Sequence, residues 1–541
     1  MPRTLCVVCA TALLITVGGA CAATPHYAPQ DKTTTYYVSA RGDDARAGTS
    51  PSRAWRTLAR AERVPLKPGD RLLLEGGSRF AGAVTVGAGE AGDAKRPVVV
   101  GSYGSGRATI SSTGSPAVSV YNTAGVQVRD LTLVGGGTAR TKDAGINLYA
   151  DRASGGRHDG VGVFGVDVSG FSVGLAVGAT KADNGFENVS VERAALHDNK
   201  DAGLLTYGPD FDHRRPAYPH RDLSVKDVRA YHNEGDPTAS DRHTGDGIVL
   251  GAVRHATLTG STAHDNGGRS ATDATAGPVG IWAYDAADVL IQHSSSYRNH
   301  TGSAVDGAGF GFDSNVSDST LQYNLAFRND GSGYYVFSRN RDGTHTDNTI
   351  RYNISDDDAH KLPRHGALTI YGKDIRDLDV YQNTVVLSRA SAGEGPAVLL
   401  RPGNTGVRLR NNVLATTGDP LVTADTGLPT ARALLQGNLY SAPGGRWTIE
   451  WGGRRFTDLA SWRDATGQET AAGKPAGLSA DPCFAGGDTP RIGAPGDARR
   501  VVPDCPRAGL DLRKLFGVDP GSTDYFGRPV GTPPNVGAAQ P

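Results

Sequence analysis

Three neighbouring stretches of the chain are long and acidic, and together they bring in the side chains that acid–base chemistry needs. They are NEGDPTASDRHTGDG (233–247), NGGRSATDATAGPVG (266–280) and NHTGSAVDGAG (299–309), and they carry His243, Asp246, Asp273 and Asp306. Each runs into a short apolar strand: GIVLG (247–251), GIWAY (280–284) and GFGFD (309–313). A fourth strand, GYYVF (333–337), follows. Alternation along a strand sends Ile248, Leu250, Ile281, Ala283, Phe310, Phe312, Tyr334 and Val336 to one side. The other side then carries Trp282, Tyr284, Asp313, Tyr335 and Phe337, and Tyr207 and Tyr371 extend that line. Aromatic rings with a carboxylate among them suit stacking on sugar rings beside an acid–base pair. Asp246 with Asp306 or Asp313 is the expected pair, two repeats apart at roughly 10 Å if each repeat rises one strand spacing. Asp285 and Asp313, one repeat apart, are placed to raise each other's pKa by like charge.

Two other readings use the same residues. Elimination from a uronate needs its carboxylate neutralised, often by Ca²⁺ on several Asp oxygens, and a base drawn from His243, Arg339, Arg341, Lys361 or His365. Arg341 is also a candidate substrate contact. A carbohydrate-binding surface without catalysis would show the aromatic stripe with no convergent carboxylates. Bland roles stand beside these: loops or the C-terminal segment could cover the rings, and the acids could cap turns.

The elements that must position these side chains repeat. From about 125 to 440 an aliphatic anchor recurs at steps of 26 to 35 residues: Val128, Val163, Val191, Val225, Leu258, Ile291, Leu321, Ile350, Val380, Leu409 and Leu435. Leucine-rich and helical repeats do not fit, for want of fixed Leu offsets and of long amphipathic runs. Three residues after each anchor the sequence reads Leu131, Val166, Ala194, Val228, Ser261, Ser294, Asn324, Asn353, Asn383, Asn412 and Asn438. A column that turns to Asn and stays Asn is expected of coils stacked so that amides bond from one to the next. A second column, Asn199, Asn233, Asn266, Asn299 and Asn329, keeps the same register. The expected fold is all-β: a single-stranded parallel β-helix over 81–440, an N-terminal cap over 35–80, and a C-terminal capping extension over 441–541 that includes a short helix at 456–469 with Trp462 on its apolar side.

Arg3, the apolar run Leu5 to Val17 and Ala20-Cys21-Ala22 predict a signal peptide over 1–22, in preference to a membrane anchor or a lipoprotein site. Its removal leaves Cys483 and Cys505 as an expected disulfide in an extracellular chain. The 56 basic side chains balance 56 acidic ones, which argues against nucleic-acid or anionic-membrane partners. With 73 glycines in 541 residues and few helix-forming runs, a helical bundle is excluded as well.

YYVSARGDDARAGTS, AWRTLARA and LKPGDRLLLEGG within 36–77, and the tail DYFGRPVGTPPNVGA (524–538), resemble secreted bacterial right-handed parallel β-helix proteins of the pectate-lyase-like superfamily. The resemblance implies a right-handed coil. It also implies breakage of uronic-acid or neutral polysaccharides by hydrolysis or elimination, with some epimerases and adhesion proteins in the same superfamily. The paired Asp, Gly-His-Gly and Arg-x-Lys of polygalacturonase-like hydrolases have no matching arrangement here, although Asp356, Asp357 and Asp358 supply acids. The expectation is a secreted monomer that hydrolyses an extracellular polysaccharide without a cofactor, or, as the alternative, eliminates it with Ca²⁺.

Overall fold

The computed structural model describes residues 33–93, 95–136, 143–339, 343–362, 364–387, 395–488, 490–505 and 507–540. The expected signal peptide and Arg341 lie outside the described residues. Three parallel sheets of 15, 14 and 14 strands run the length of the molecule, and successive strands of the chain visit them in turn. The chain is an all-β right-handed parallel solenoid with extra elements at both ends. Inward side chains of the three sheets form one continuous apolar column from Val38 to Trp462.

The anchors stack as the spacing predicts. Val128 pairs with Val163, Val163 with Val191, and the register continues through Val225, Leu258, Ile291, Leu321, Ile350, Val380, Leu409 and Leu435. The amides bond up the coils. Asn324 Nδ2 donates to Asn353 Oδ1 at 3.1 Å, and the chain of donors runs through Asn383 and Asn412 to Asn438. The second column links Asn199, Asn233, Asn266, Asn299 and Asn329 in the same way. Each ladder ends on a carboxylate that accepts its last amide: Asp358 at 2.8 Å and Glu469 at 2.8 Å.

At the N-terminal end, Thr35–Val38 and Arg71–Glu75 are already strands of the 15-stranded sheet, and the helix there is only Leu58–Ala61. At the other end, Ile449–Trp451 turns back on Arg454–Phe456 as an antiparallel hairpin. A helix, α1 (Leu459–Thr466), follows with fully buried Trp462 and brings Glu469 onto the ladder. Cys483 and Cys505 form a disulfide with Cα atoms 5.3 Å apart. The rest of the extension lies along the sheet that carries Phe327, Val386 and Val413.

Candidate active site

The acidic loops lead into one sheet, whose strands from here on are β1 (Ala202–Tyr207), β2 (Asp246–Gly251), β3 (Val279–Tyr284), β4 (Ala308–Phe312), β5 (Tyr334–Ser338) and β6 (Leu368–Gly372). Their inward residues join the main core. The outward ones, Val249, Trp282 and Tyr335 among them, form a second, small apolar cluster on the outer face. Above it opens a cavity of about 550 Å³ whose lining includes His243, Asp246, Trp282, Tyr284, Asp285 and Asp313.

The rings do not form the open stripe expected from alternation. Trp282 is 4% exposed and Tyr335 2%, while Tyr207, Tyr284, Phe337 and Tyr371 are half-buried. Glycine is the reason on the sheet itself. Gly311 pairs with Tyr335, and a Cβ on Gly311 would meet the Tyr335 ring at 2.0 Å, so the ring lies flat on the glycine. Tyr284 lies on Gly251 in the same way, where a Cβ would meet it at 2.2 Å. Trp282 is roofed by His243, ring centroid to centroid 4.7 Å. The site is therefore a pocket with an aromatic floor, Tyr284 and the edge of Trp282 facing its void.

Two carboxyls reach one coil from opposite sides. Asp246 Oδ1, at the start of β2, accepts the Val279 N–H at 2.8 Å and the Trp282 Nε1–H at 3.0 Å. Asp306, from the loop before β4, accepts the Gly277 N–H through Oδ2 at 2.6 Å. Two residues of extended backbone separate those anchoring N–H groups, roughly 6–7 Å. His243 Nδ1 donates to the Gly277 carbonyl at 2.6 Å and so joins the same segment. Loss of solvation pushes Asp246 up to about 7, partly offset by His243 and the two N–H donors, with the Asp306 charge adding to the rise. Asp306 is pushed up to about 6, again mainly by burial, and the Asp313 charge raises it further. Burial alone would lower His243, but the carboxylates of Asp246, Asp306 and Asp313 outweigh it and hold the imidazole above its ordinary value. Asp313 takes the Ser314 N–H and hydroxyl on Oδ1 and lines the void. The Tyr335 hydroxyl is buried near these acids and has no hydrogen-bond partner among the described residues.

The structure thus brings together His243, Asp246, Asp306, Asp313, Trp282 and Tyr335. Asp285 stands on the rim, where its Oδ1 accepts from Asn315 Nδ2 at 2.6 Å, and Arg339 lines the same rim. Asp273 is exposed on its loop, Lys361 is committed to Asp330 at 3.2 Å, and His365 is buried in a separate cleft beside Tyr371. Sequence reasoning missed Asp201, Asp210 and Phe211 in the cavity wall. The signal was present in the long 208–219 segment, which leaves β1 on the opposite side of the strand from the loops considered. Among the described residues, no group of three or more His, Cys, Asp and Glu is arranged to hold a metal ion.

Against known proteins, the profile of the right-handed β-helix region matches residues 217–414. A lacto-N-biosidase of Bifidobacterium longum is 42% identical over 87 residues, which is 15% of this chain and 5% of that protein. The crystal structure of a GH136 lacto-N-biosidase from Eubacterium ramulus shares 18% identity over 68% of this chain and 64% of its own, with a TM-score of 0.49. The A-module of an Azotobacter vinelandii mannuronan C-5 epimerase shares 16% identity over 70% of this chain and 91% of its own, with a TM-score of 0.41. The chain spans less than two thirds of both lacto-N-biosidases. The matched profile and the three stacked sheets agree on the architecture: the chain folds as a right-handed parallel β-helix.

Proposed function

We propose that the protein is a carbohydrate-cleaving enzyme, a glycoside hydrolase whose reaction centre is the cavity over β2–β4. The observation that carries this reading is a sugar-sized void lined by Asp246 and Asp313, with the buried carboxyl of Asp306 behind them and charge-coupled to both. Asp306 is held protonated to about 6 and is charge-coupled to both of the others, so it is the proton donor to the leaving oxygen. Asp313, half-exposed and facing the void with one oxygen held by Ser314, is the partner that attacks the sugar carbon or activates a water. Asp246 fixes the Trp282 ring through its N–H and so positions the floor on which the sugar rests. Asp246 also lines the void and titrates highest, at about 7, so it is the second candidate donor. Activity of Asp306→Asn and Asp246→Asn on a substrate with an activated leaving group separates the two. The true donor's variant recovers on that substrate, because its proton is no longer needed.

Hydrolysis is preferred to elimination because the cluster is built of carboxyls, and its one histidine is fixed to the Gly277 carbonyl through Nδ1 and packed against the Trp282 ring. The name of the Bifidobacterium longum relative, a lacto-N-biosidase, is in line with a glycosidic substrate. Digestion of a polysaccharide and oligosaccharide panel, followed by reducing ends and by the ultraviolet absorbance of unsaturated uronates, tests the reading. New reducing ends without absorbance are expected, and absorbance rising with them overturns hydrolysis. Secretion and action on an extracellular polymer belong to the same proposal, on the strength of the N-terminal sequence.

A further inference from the structure

The outer face of the site sheet does not end at the acids. Its register continues as a single column of paired positions: Trp282, Gly311, Tyr335, Thr369, Leu399, Thr423 and Glu450. The strands that carry its far part are β7 (Val398–Leu400), β8 (Val422–Ala424) and β9 (Ile449–Trp451). Beyond Tyr335 and Tyr371 lies a cleft of about 350 Å³, and next to it a groove of about 930 Å³ over β7–β9. The two share Arg364 and Arg401 in their walls.

Charge along this face is unevenly distributed: acids outnumber Arg339 at the near end, and arginines outnumber Asp425 and Glu450 in the far groove. The near end carries Asp201, Asp246, Asp285 and Asp313, and the far groove carries Arg364, Arg401, Arg446 and Arg455. The far groove holds two acids against these four arginines: Glu450, taken by Arg455 at 2.8 Å, and the exposed Asp425. Arg364 and Arg401 make no ion pair among the described residues, and Arg401 donates only to the Arg364 carbonyl, at 3.4 Å. Arg364 is exposed and Arg401 half-exposed, so both guanidinium groups face the groove with donors to spare. A neutral total over 541 residues hides this separation. A guanidinium fork left unpaired in a concave wall is matched in shape and charge by a carboxylate or a sulfate.

We propose that the groove over β7–β9 is a distal binding site for an acidic sugar, carboxylated or sulfated, carried by the same glycan chain whose cleavable bond lies at Asp306 and Asp313. This rests on the reaction centre proposed above. Leu399 lies three strand spacings from Gly311, roughly 14 Å along the axis, so the occupant is an oligosaccharide of several rings that reaches past the Tyr335–Tyr371 step. Leu399 and Pro396 give its rings an apolar bed, and Thr423, half-exposed in the groove wall, offers a hydroxyl partner.

The test is affinity electrophoresis of the purified protein carrying Asp313→Asn in gels containing polygalacturonate, a sulfated galactan or a neutral galactan. Retention by at least one acidic polymer is expected, stronger than by the neutral galactan and weakened by salt. Which acidic polymer retains it tells carboxylate from sulfate. Adding Arg364→Gln and Arg401→Gln weakens that retention about tenfold, or about 1.4 kcal/mol, with the thermal unfolding midpoint unchanged because both side chains are solvent-facing. Retention by neither acidic polymer, or unchanged retention in the arginine variant, overturns the proposal. Cleavage that survives Asp313→Asn would remove the catalytic assignment and leave the groove standing, so the two failures are read apart.

Discussion

Asp358 and Asp246 are both buried in this β-helix, and both are pushed up to about 7 by loss of solvation. One closes an amide ladder inside the molecule, and the other stands in the wall of the cavity outside it. Asp358 has both oxygens occupied: Asn329 N–H and Nδ2 donate to Oδ1 at 2.9 and 2.8 Å, and Ser355 Oγ donates to Oδ2 at 2.6 Å. Asp246 places both of its hydrogen bonds on Oδ1. A raised pKa therefore marks burial, and does not by itself mark chemistry. What separates the regions is closure. Along the ladders each amide finds the next, whereas around β2–β5 Asp246 leaves one carboxyl oxygen unused at the void, and behind it the buried Tyr335 hydroxyl has no partner among the described residues. Polar groups left open at the edge of a packed outer cluster are the expense a binding site carries.

Substitutions that open the closed region or neutralise the open one sharpen this contrast. The largest effect is expected for Asp306→Asn or Asp313→Asn, which should lower kcat by about a thousandfold, the scale of general acid–base catalysis, and leave the unfolding midpoint equal to or above that of the parent. Next is Asn383→Ala in the ladder. Asn383 accepts from Asn353 and donates to Asn412 and the Ile350 carbonyl, so its loss should cost about 3 kcal/mol of stability. Denaturant unfolding checks the cost, and activity per folded molecule should not change.

Smaller is the pH response of Asp246→Asn. With a folded pKa of about 7 against an unfolded value of 3.8, the Asp246 contribution to stability is fully present below pH 4. It is lost as pH rises to about 7, because the unfolded chain gives up the proton first. The Asn variant has no such loss, so its midpoint at pH 8 should exceed the parent's and at pH 4 should not. A pair of melting curves measures this. The smallest effect is expected for Trp282→Phe. It keeps a ring on the floor but removes the N–H that Asp246 holds, and should raise KM several-fold with little change in kcat.

Most of the closed region was legible in the sequence. The anchors from Val128 to Leu435 and the Asn324–Asn438 column were found by spacing alone, because a β-helix forces equivalent residues into contact one coil apart. The carboxylate ends of the ladders were not. Asp358 does not share the recurring residue type, and Glu469 arrives from beyond the coils through α1. At the site, His243, Asp246 and Asp306 were singled out from loop length and Asp313 from strand alternation, and they came together. The exposure of the rings was misjudged. Alternation sets which face a side chain leaves from, but the residue one coil away decides whether it stands or lies down, and Gly251 and Gly311 let Tyr284 and Tyr335 lie down. Phe211 and Asp210 were missed because loops on only one side of the strands were considered. The cationic groove was invisible in a net charge of zero.

The most direct test of the central claim is reducing-end release by the parent and by Asp313→Asn from the same glycan panel under identical conditions. The account predicts release by the parent and none above background by the variant, with matching melting curves. Release by Asp313→Asn at the parent's rate would show that the cavity over β2–β4 is not where the chemistry happens.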